Sequence, residues 1–147
     1  MKKLADVNGR LESLHKLASS RLLYGTLLNG LQQVVVDDVQ VTRVRIDQSF
    51  TFNEEVKPKP NAEKPVTPRP ASVTERVMLS LEARDSGLNP GDQVNKFKAS
   101  VGEAAYFQAM LGKTNDVRLT SLSPPQGLGG KSYVQFTLEC KYPEKTR

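Results

Sequence analysis

Leucine sets the pattern of the first part of the chain. From about Asn8 to Gln33 there is no proline, and Leu11, Leu14, Leu17, Leu22, Leu23, Leu27, Leu28 and Leu31 recur at helical intervals, which predicts one long helix. Its apolar positions fall on two sides of the cylinder. Leu4, Val7, Leu11, Leu14 and Ala18 step by three and four, a seam of coiled-coil spacing. At about 100° per residue, Leu23, Tyr24, Leu27, Leu28 and Leu31 point the other way. The first face predicts an association surface, and the second a cover for the domain's own sheet.

Periodicity then changes from helical to alternating. Val39, Val41, Val44, Ile46, Phe50 and Phe52 predict a first strand, and the alternation slips by one around Arg43, which predicts a bulge. Pro58, Pro60, Pro65, Pro68 and Pro70 sit among Lys57, Lys59, Lys64 and Arg69, so Asn53 to Thr74 is expected to be a long, loosely held loop. Val77, Leu79, Leu81 and Ala83 alternate with polar neighbours into a second strand ending at Asp85-Ser86-Gly87.

Asn89-Pro90 has the chemistry of a helix start, an Asn side chain that can accept an orphan N–H followed by a proline with preset φ. The second helix is predicted to run to Leu111 and stop at Gly112, with Val94, Phe97, Val101, Ala104, Ala105 and Leu111 on its core face. Tyr106 and Met110 fall off that stripe and become candidates for a contact surface. Val117, Leu119 and Leu122 predict a third strand, Gly127-Leu128-Gly129-Gly130 a turn, and Tyr133 to Tyr142 a fourth strand.

The element order is therefore α-β-β-α-β-β, two helix-strand-strand units that can pair into a four-stranded sheet with both helices on one face. The expected class is α+β, a ferredoxin-like plait with an N-terminal coiled-coil-like helix extension. Residues 1–20 form the extension and residues 21–147 the plait, with the Pro/Lys-rich loop at 53–74.

Composition narrows the function. A length of 147 residues suits one such unit, and 37% hydrophobic with 25% charged residues is a globular balance. The formal net charge of +5 is spread along the chain, which reads as solubility instead of a dedicated anion site. A lone Cys140 excludes an internal disulfide framework and a multi-cysteine metal site. No apolar run reaches the ~18 residues needed to span a bilayer.

Catalytic groups are poorly supplied. His15 is the one histidine and sits on the first helix, far in sequence from Cys140. Adjacent acids at Asp37-Asp38 and Glu54-Glu55 do not form a matched acid and base on their own. Gly129-Gly130-Lys131-Ser132 resembles the end of a phosphate-binding loop, but Pro125 stands where a glycine is required and a strand follows instead of a helix. No enzyme activity and no cofactor or metal is expected. Pro65-Val66-Thr67-Pro68 matches a minimal PxxP, but reads as part of a flexible insertion.

The alternative function is an RNA-binding plait. Tyr133-Val134-Gln135-Phe136 echoes the end of an RNA-recognition strand, yet Lys131 stands where the leading aromatic belongs and Val41-Thr42-Arg43-Val44 offers no second stacking ring. No nucleic-acid partner is expected.

Taken together, the leucine-rich helix, Val39-Gln40-Val41-Thr42-Arg43-Val44, Val77-Met78-Leu79-Ser80-Leu81-Glu82-Ala83, the helix start Val94 to Phe97, Tyr106-Phe107 and Asp116-Val117-Arg118-Leu119 resemble the PilN (fimbrial assembly) family of type IV pilus and related secretion systems. The similarity covers roughly residues 11 to 142 and rests on element order and apolar placement. It implies a structural platform component on the periplasmic side of the bacterial inner membrane. Family members carry a short cytoplasmic motif and one transmembrane helix before the coiled coil and plait; this chain lacks both and reads as a piece beginning at the coiled coil. The implied partners are a PilO-like protein or a second copy in a dimer, and an actin-like PilM protein through the missing tail. Leu4, Val7, Leu11, Leu14, Ala18, Tyr106 and Met110 are the candidate partner-binding residues.

Overall fold

A computed structural model describes residues 2–19, 21–34, 36–56, 68–112 and 116–147. The architecture is mixed α+β, with helices on one face of an antiparallel sheet. Two helices come first, α1 (Lys2–Ser19) and α2 (Tyr24–Gln32), then β1 (Val39–Asn53) and β2 (Ser72–Asp85). Helices α3 (Asp92–Glu103) and α4 (Ala105–Leu111) follow, then β3 (Val117–Leu122), β4 (Gln126–Leu128), β5 (Lys131–Lys141) and β6 (Lys145–Thr146).

The sheet has six strands where four were expected. Its main path runs β1-β2-β5-β3, with β4 paired to β5 and β6 to β2. The added strands are short, β4 coming from the turn region before β5 and β6 from the last residues, Lys145–Thr146. Gly129 and Gly130 both have positive φ, 59° and 81°, the requirement of a two-residue type I′ hairpin, so the expected turn folds β4 back on β5. The slip near Arg43 is a register shift between Val41 and Arg43, as the alternation predicts.

Alternation decides which face is buried. Leu79, Leu81 and Ala83 of β2 stand beside Cys140, Leu138 and Phe136 of β5 on the helix side. The opposite face carries Arg43, Arg45, Arg76, Arg84, Thr137 and Glu139. Leu27, Val34, Val94, Phe97, Val101, Phe107 and Leu111 close the core from the helix side, and Phe97 meets Phe136 edge to face at 5.8 Å between ring centroids.

Three expectations are corrected. The first helix is two helices, because the chain turns between Ser19 and Tyr24 and leaves the helical path. The two leucine faces therefore belong to separate rods. Of the five residues expected to cover the sheet, Leu27 is buried and Leu31 half-buried, while Leu23, Tyr24 and Leu28 are exposed.

The second helix also breaks, at Ala104, whose ψ of 132° is extended. The loop expected at 53–74 is shorter at both ends. Asn53 pairs with Ser72, Val73 with Phe52 and Thr74 with Thr51, and Val56 bridges Arg69. Residues 57–67, which carry Pro58, Pro60 and Pro65, lie outside the described residues.

The N-terminus of α3 is capped from a distance. Gly91 is the N-cap and makes no side-chain cap, nor does Asn89 supply one. Asp85, fully buried at the end of β2, does the work. Its Oδ1 accepts from Gly87 N–H at 3.0 Å, and its Oδ2 from Gly91 and Gln93 N–H at 2.7 and 3.1 Å. A carboxylate at that end also complements the helix dipole.

Candidate association surface

Helix α1 forms on its Leu, Lys, Ala, Arg and Glu residues despite Asn8 and Gly9, with an Asp6–Arg10 pair at 3.0 Å one turn apart and Lys16 in the last turn, where a cation suits the dipole. Ser13 Oγ donates back to the Gly9 carbonyl at 2.8 Å. None of this buries the helix. From Leu4 to Ser19 every residue is exposed, the leucines included: Leu4 is 72% exposed and Leu11 64%.

The five predicted seam residues, Leu4, Val7, Leu11, Leu14 and Ala18, are thus brought together on one rod and left in water. Leu17, not among them, is exposed as well and widens the stripe. An isolated helix of 18 residues is marginal in water. Fully covering each leucine would contribute about 1.5–3 kcal/mol.

Tyr106 and Met110 are placed differently. Both are half-buried and packed against the core. The break at Ala104 resets the helical phase, so counting 100° steps from Val94 misplaces everything after Glu103. Helix α2 packs on Tyr106, whose ring lies where a Cβ on Gly30 would meet its Cδ1 at 2.7 Å. Burial pushes the Tyr106 hydroxyl up from its ordinary pKa, and pushes that of its neighbour Tyr142 up further.

Sequence reading missed the other half of the exposed apolar surface. Phe50 and Phe52, expected only as part of the first strand, are 61% and 65% exposed, with Val73 beside them. They lie on the helix side of the sheet, beyond the reach of α3. Their only signal was distance along the strand from the Asp85 end of the sheet, where α3 begins.

The last turn of α1 approaches this arm. Leu14, Leu17, Ala18, Leu22, Tyr24 and Phe50 line a groove of about 510 Å3. Its floor holds Glu75, 5% exposed, which accepts from Gln48 Nε2 at 2.6 Å and from an Arg147 N–H at 2.8 Å.

The polar face of the sheet offers little to an anionic ligand. Arg43 pairs with Glu82, Arg45 with Asp47, Arg76 with Glu144 and Arg118 with Asp116, so the positive charge is locally balanced. Tyr133, on that face, is covered by the Arg84 guanidinium 4.4 Å from its ring centroid, where a base would stack. His15 is exposed on α1, while Cys140 is buried in β5 with its thiol pushed up to about 12, by burial first and by the Asp116 charge second. Among the described residues no group of three or more His, Cys, Asp and Glu side chains is arranged for a metal, and no helix is long and apolar enough to cross a membrane.

Comparison with family models, with curated proteins and with solved structures gives no match. The functional reading therefore rests on the residues and their geometry.

Proposed function

We propose that this chain is a structural assembly domain that acts by protein–protein association through α1, as a PilN-like component of a bacterial type IV pilus or related secretion platform. The observation that carries the reading is the exposed leucine stripe of α1. A helix of 18 residues that touches so little of its own domain has a partner as its natural cover.

The fold supports the same reading. In an α-β-β-α-β-β plait the principal strands take the spatial order first, second, fourth, third, with the helices on one side. The order β1-β2-β5-β3 fits that arrangement, β4 and β6 being additions at its margins. In this reading the domain sits on the periplasmic side of the inner membrane, held by a transmembrane helix before the coiled coil. Its α1 pairs with a PilO-like chain or a second copy, and a cytoplasmic tail contacts a PilM-like protein. An RNA-binding plait would use the polar sheet face, where the balanced arginines and the covered Tyr133 give it less support.

Changing Leu11 and Leu14 to Glu tests the reading. Sedimentation of the full chain should lose one association step relative to wild type while the sheet and its core remain folded by circular dichroism. An unchanged sedimenting mass would refute the role of α1.

A further inference from the structure

The two edges of the sheet are unequal. On one side β3 is short, six residues, and carries a register shift between Leu119 and Ser121. On the other, β1 runs for 15 residues, and after its shift near Arg43 it continues unbroken and without proline to Asn53. Short length, bulges, prolines and charged side chains are how proteins protect an edge. From Val44 to Phe52, β1 has only Arg45 and Asp47, which pair with each other.

Hydrogen bonding shows which backbone groups that edge offers. Val73 exchanges both bonds with Arg147, and the Val77 carbonyl accepts from Tyr142 N–H, so the odd-numbered residues of β2 turn their backbone groups away from β1. Their cross-strand neighbours on β1 are Val44, Ile46, Gln48, Phe50 and Phe52. Opposite residues in an antiparallel ladder share one orientation. These five therefore present their N–H and C=O groups outward, and no backbone hydrogen bond among the described residues uses them.

We propose that the Val44–Phe52 edge of β1 pairs antiparallel with the same edge of a second copy, in a register centred on Gln48, to give one continuous sheet across a twofold axis. The register follows from the side chains. Centred on Gln48, Ile46 lies opposite the partner's Phe50 and Val44 opposite the partner's Phe52, so each exposed ring gains an apolar neighbour on the helix face. On the polar face Arg45 faces the partner's Thr51, Asp47 the partner's Ser49, and Arg43 the partner's Asn53, with no like charges opposed.

Neighbouring registers are worse, that centred on Ser49 leaving Val44 opposite the partner's Glu54, beyond the end of β1. Centring on Asp47 sets Asp47 against the partner's Asp47, and centring on Arg45 does the same for Arg45. Centring on Ile46 carries Phe50 to the irregular backbone at Thr42. The Gln48 register also uses all five outward residues of each copy, for about ten new backbone bonds. The ladder uses the outward backbone groups of β1 and does not rest on the role given to α1, although Gln48 and Phe50 share a groove with the last turn of that helix.

The test works in a Leu4→Glu, Leu11→Glu background, where α1 association is removed and the groove beside Phe50 keeps Leu14. Phe50→Pro deletes an N–H that points to solvent, so it costs no bond to β2 and an edge position tolerates it. Phe50→Ala keeps that N–H and removes only the ring. The background chain should sediment as a dimer. Phe50→Pro should weaken dimerisation at least 100-fold with an unchanged circular dichroism spectrum, and Phe50→Ala by less. A monomeric background, or a folded Phe50→Pro chain that still dimerises, overturns the proposal and leaves the role of α1 untouched.

Register is read separately, which decides the matter even if the proline variant does not fold. Asp47→Cys chains mixed with Ser49→Cys chains should form a disulfide-linked dimer under mild oxidation, and neither variant should do so alone, Cys140 being buried. Equal cross-linking of each variant alone, or none in the mixture, overturns the register.

Discussion

Replacing Asp85 by alanine is expected to be the most damaging single polar-to-apolar change in the sheet. The side chain is fully buried and accepts three backbone N–H groups, from Gly87, Gly91 and Gln93. Losing an ordinary exposed N-cap costs about 0.5–2 kcal/mol. Here the acceptor is a carboxylate, and hydrogen bonds to charged groups are worth about 1.5–3 kcal/mol each, without simple additivity. Water can reach the half-buried loop and re-satisfy some of the donors, so a loss of about 3 kcal/mol is expected. With a urea m-value of about 1.5–2 kcal/mol per molar, the midpoint should fall by about 1.5–2 M at unchanged m. Asp47→Ala, which removes an exposed carboxylate paired only with Arg45, is the matched control and should move the midpoint by less than about 0.5 M. Equal midpoints for the two variants would refute the assignment of Asp85 as the cap of α3.

Gly30→Ala should lower the melting temperature even though alanine is the better helix former by about 1 kcal/mol. The new Cβ would fall 2.7–3.1 Å from the Cδ1, Cγ and Cβ atoms of Tyr106, the root of the ring and not a flexible tip; Tyr106→Ala in the same chain should cancel the penalty, and simple additivity in the double-mutant cycle would contradict the packing. The thiol of Cys140, raised from 9.0 to about 12, makes stability pH-dependent on the alkaline side. A raised folded pKa gives stability that is complete below the unfolded value and lost as the pH climbs, so urea midpoints should decline between about pH 9 and 12. The buried Tyr142 and Tyr106 hydroxyls add to this decline in the same direction. Cys140→Ala should flatten the slope, and an identical slope would contradict it.

Where alternation and turn chemistry are local, the sequence read true. The strand from Val77 to Ala83, the slip near Arg43 and, of the turn expected at Gly127 to Gly130, its second half at Gly129-Gly130 depend on neighbours within a few residues and are present in the sheet, while Gly127 and Leu128 are strand. The misreadings came from tertiary causes. The leucines run on through the break between Ser19 and Tyr24, so nothing in their spacing marks where one rod ends and the next begins. Asn89-Pro90 carries the local chemistry of a cap, but the cap comes from Asp85, whose carboxylate reaches the helix only once β2 and α3 are packed. Tyr106 was placed outside because a phase count assumes an unbroken helix, and the break at Ala104 needs α2 and its Gly30 to make sense. That Leu4, Val7, Leu11, Leu14 and Ala18 share one helix was legible because helical spacing is local. The exposure of Phe50 and Phe52 was not, since an alternating strand looks the same whether or not a helix reaches its far end.

The position of β5 between β2 and β3 governs when the molecule can first close its core. Leu79, Leu81 and Ala83 find their neighbours in Leu138, Phe136 and Cys140, a segment made about 56 residues after Asp85, or roughly 3–11 s later at ordinary rates of synthesis. During that interval the nascent chain holds the long β1-β2 hairpin, with its apolar row bare on one side and its outer edge open. Until β5 arrives beside it the hairpin is a sticky half-sheet, and a holding factor that shields hairpin surfaces would have its greatest effect on yield in that window.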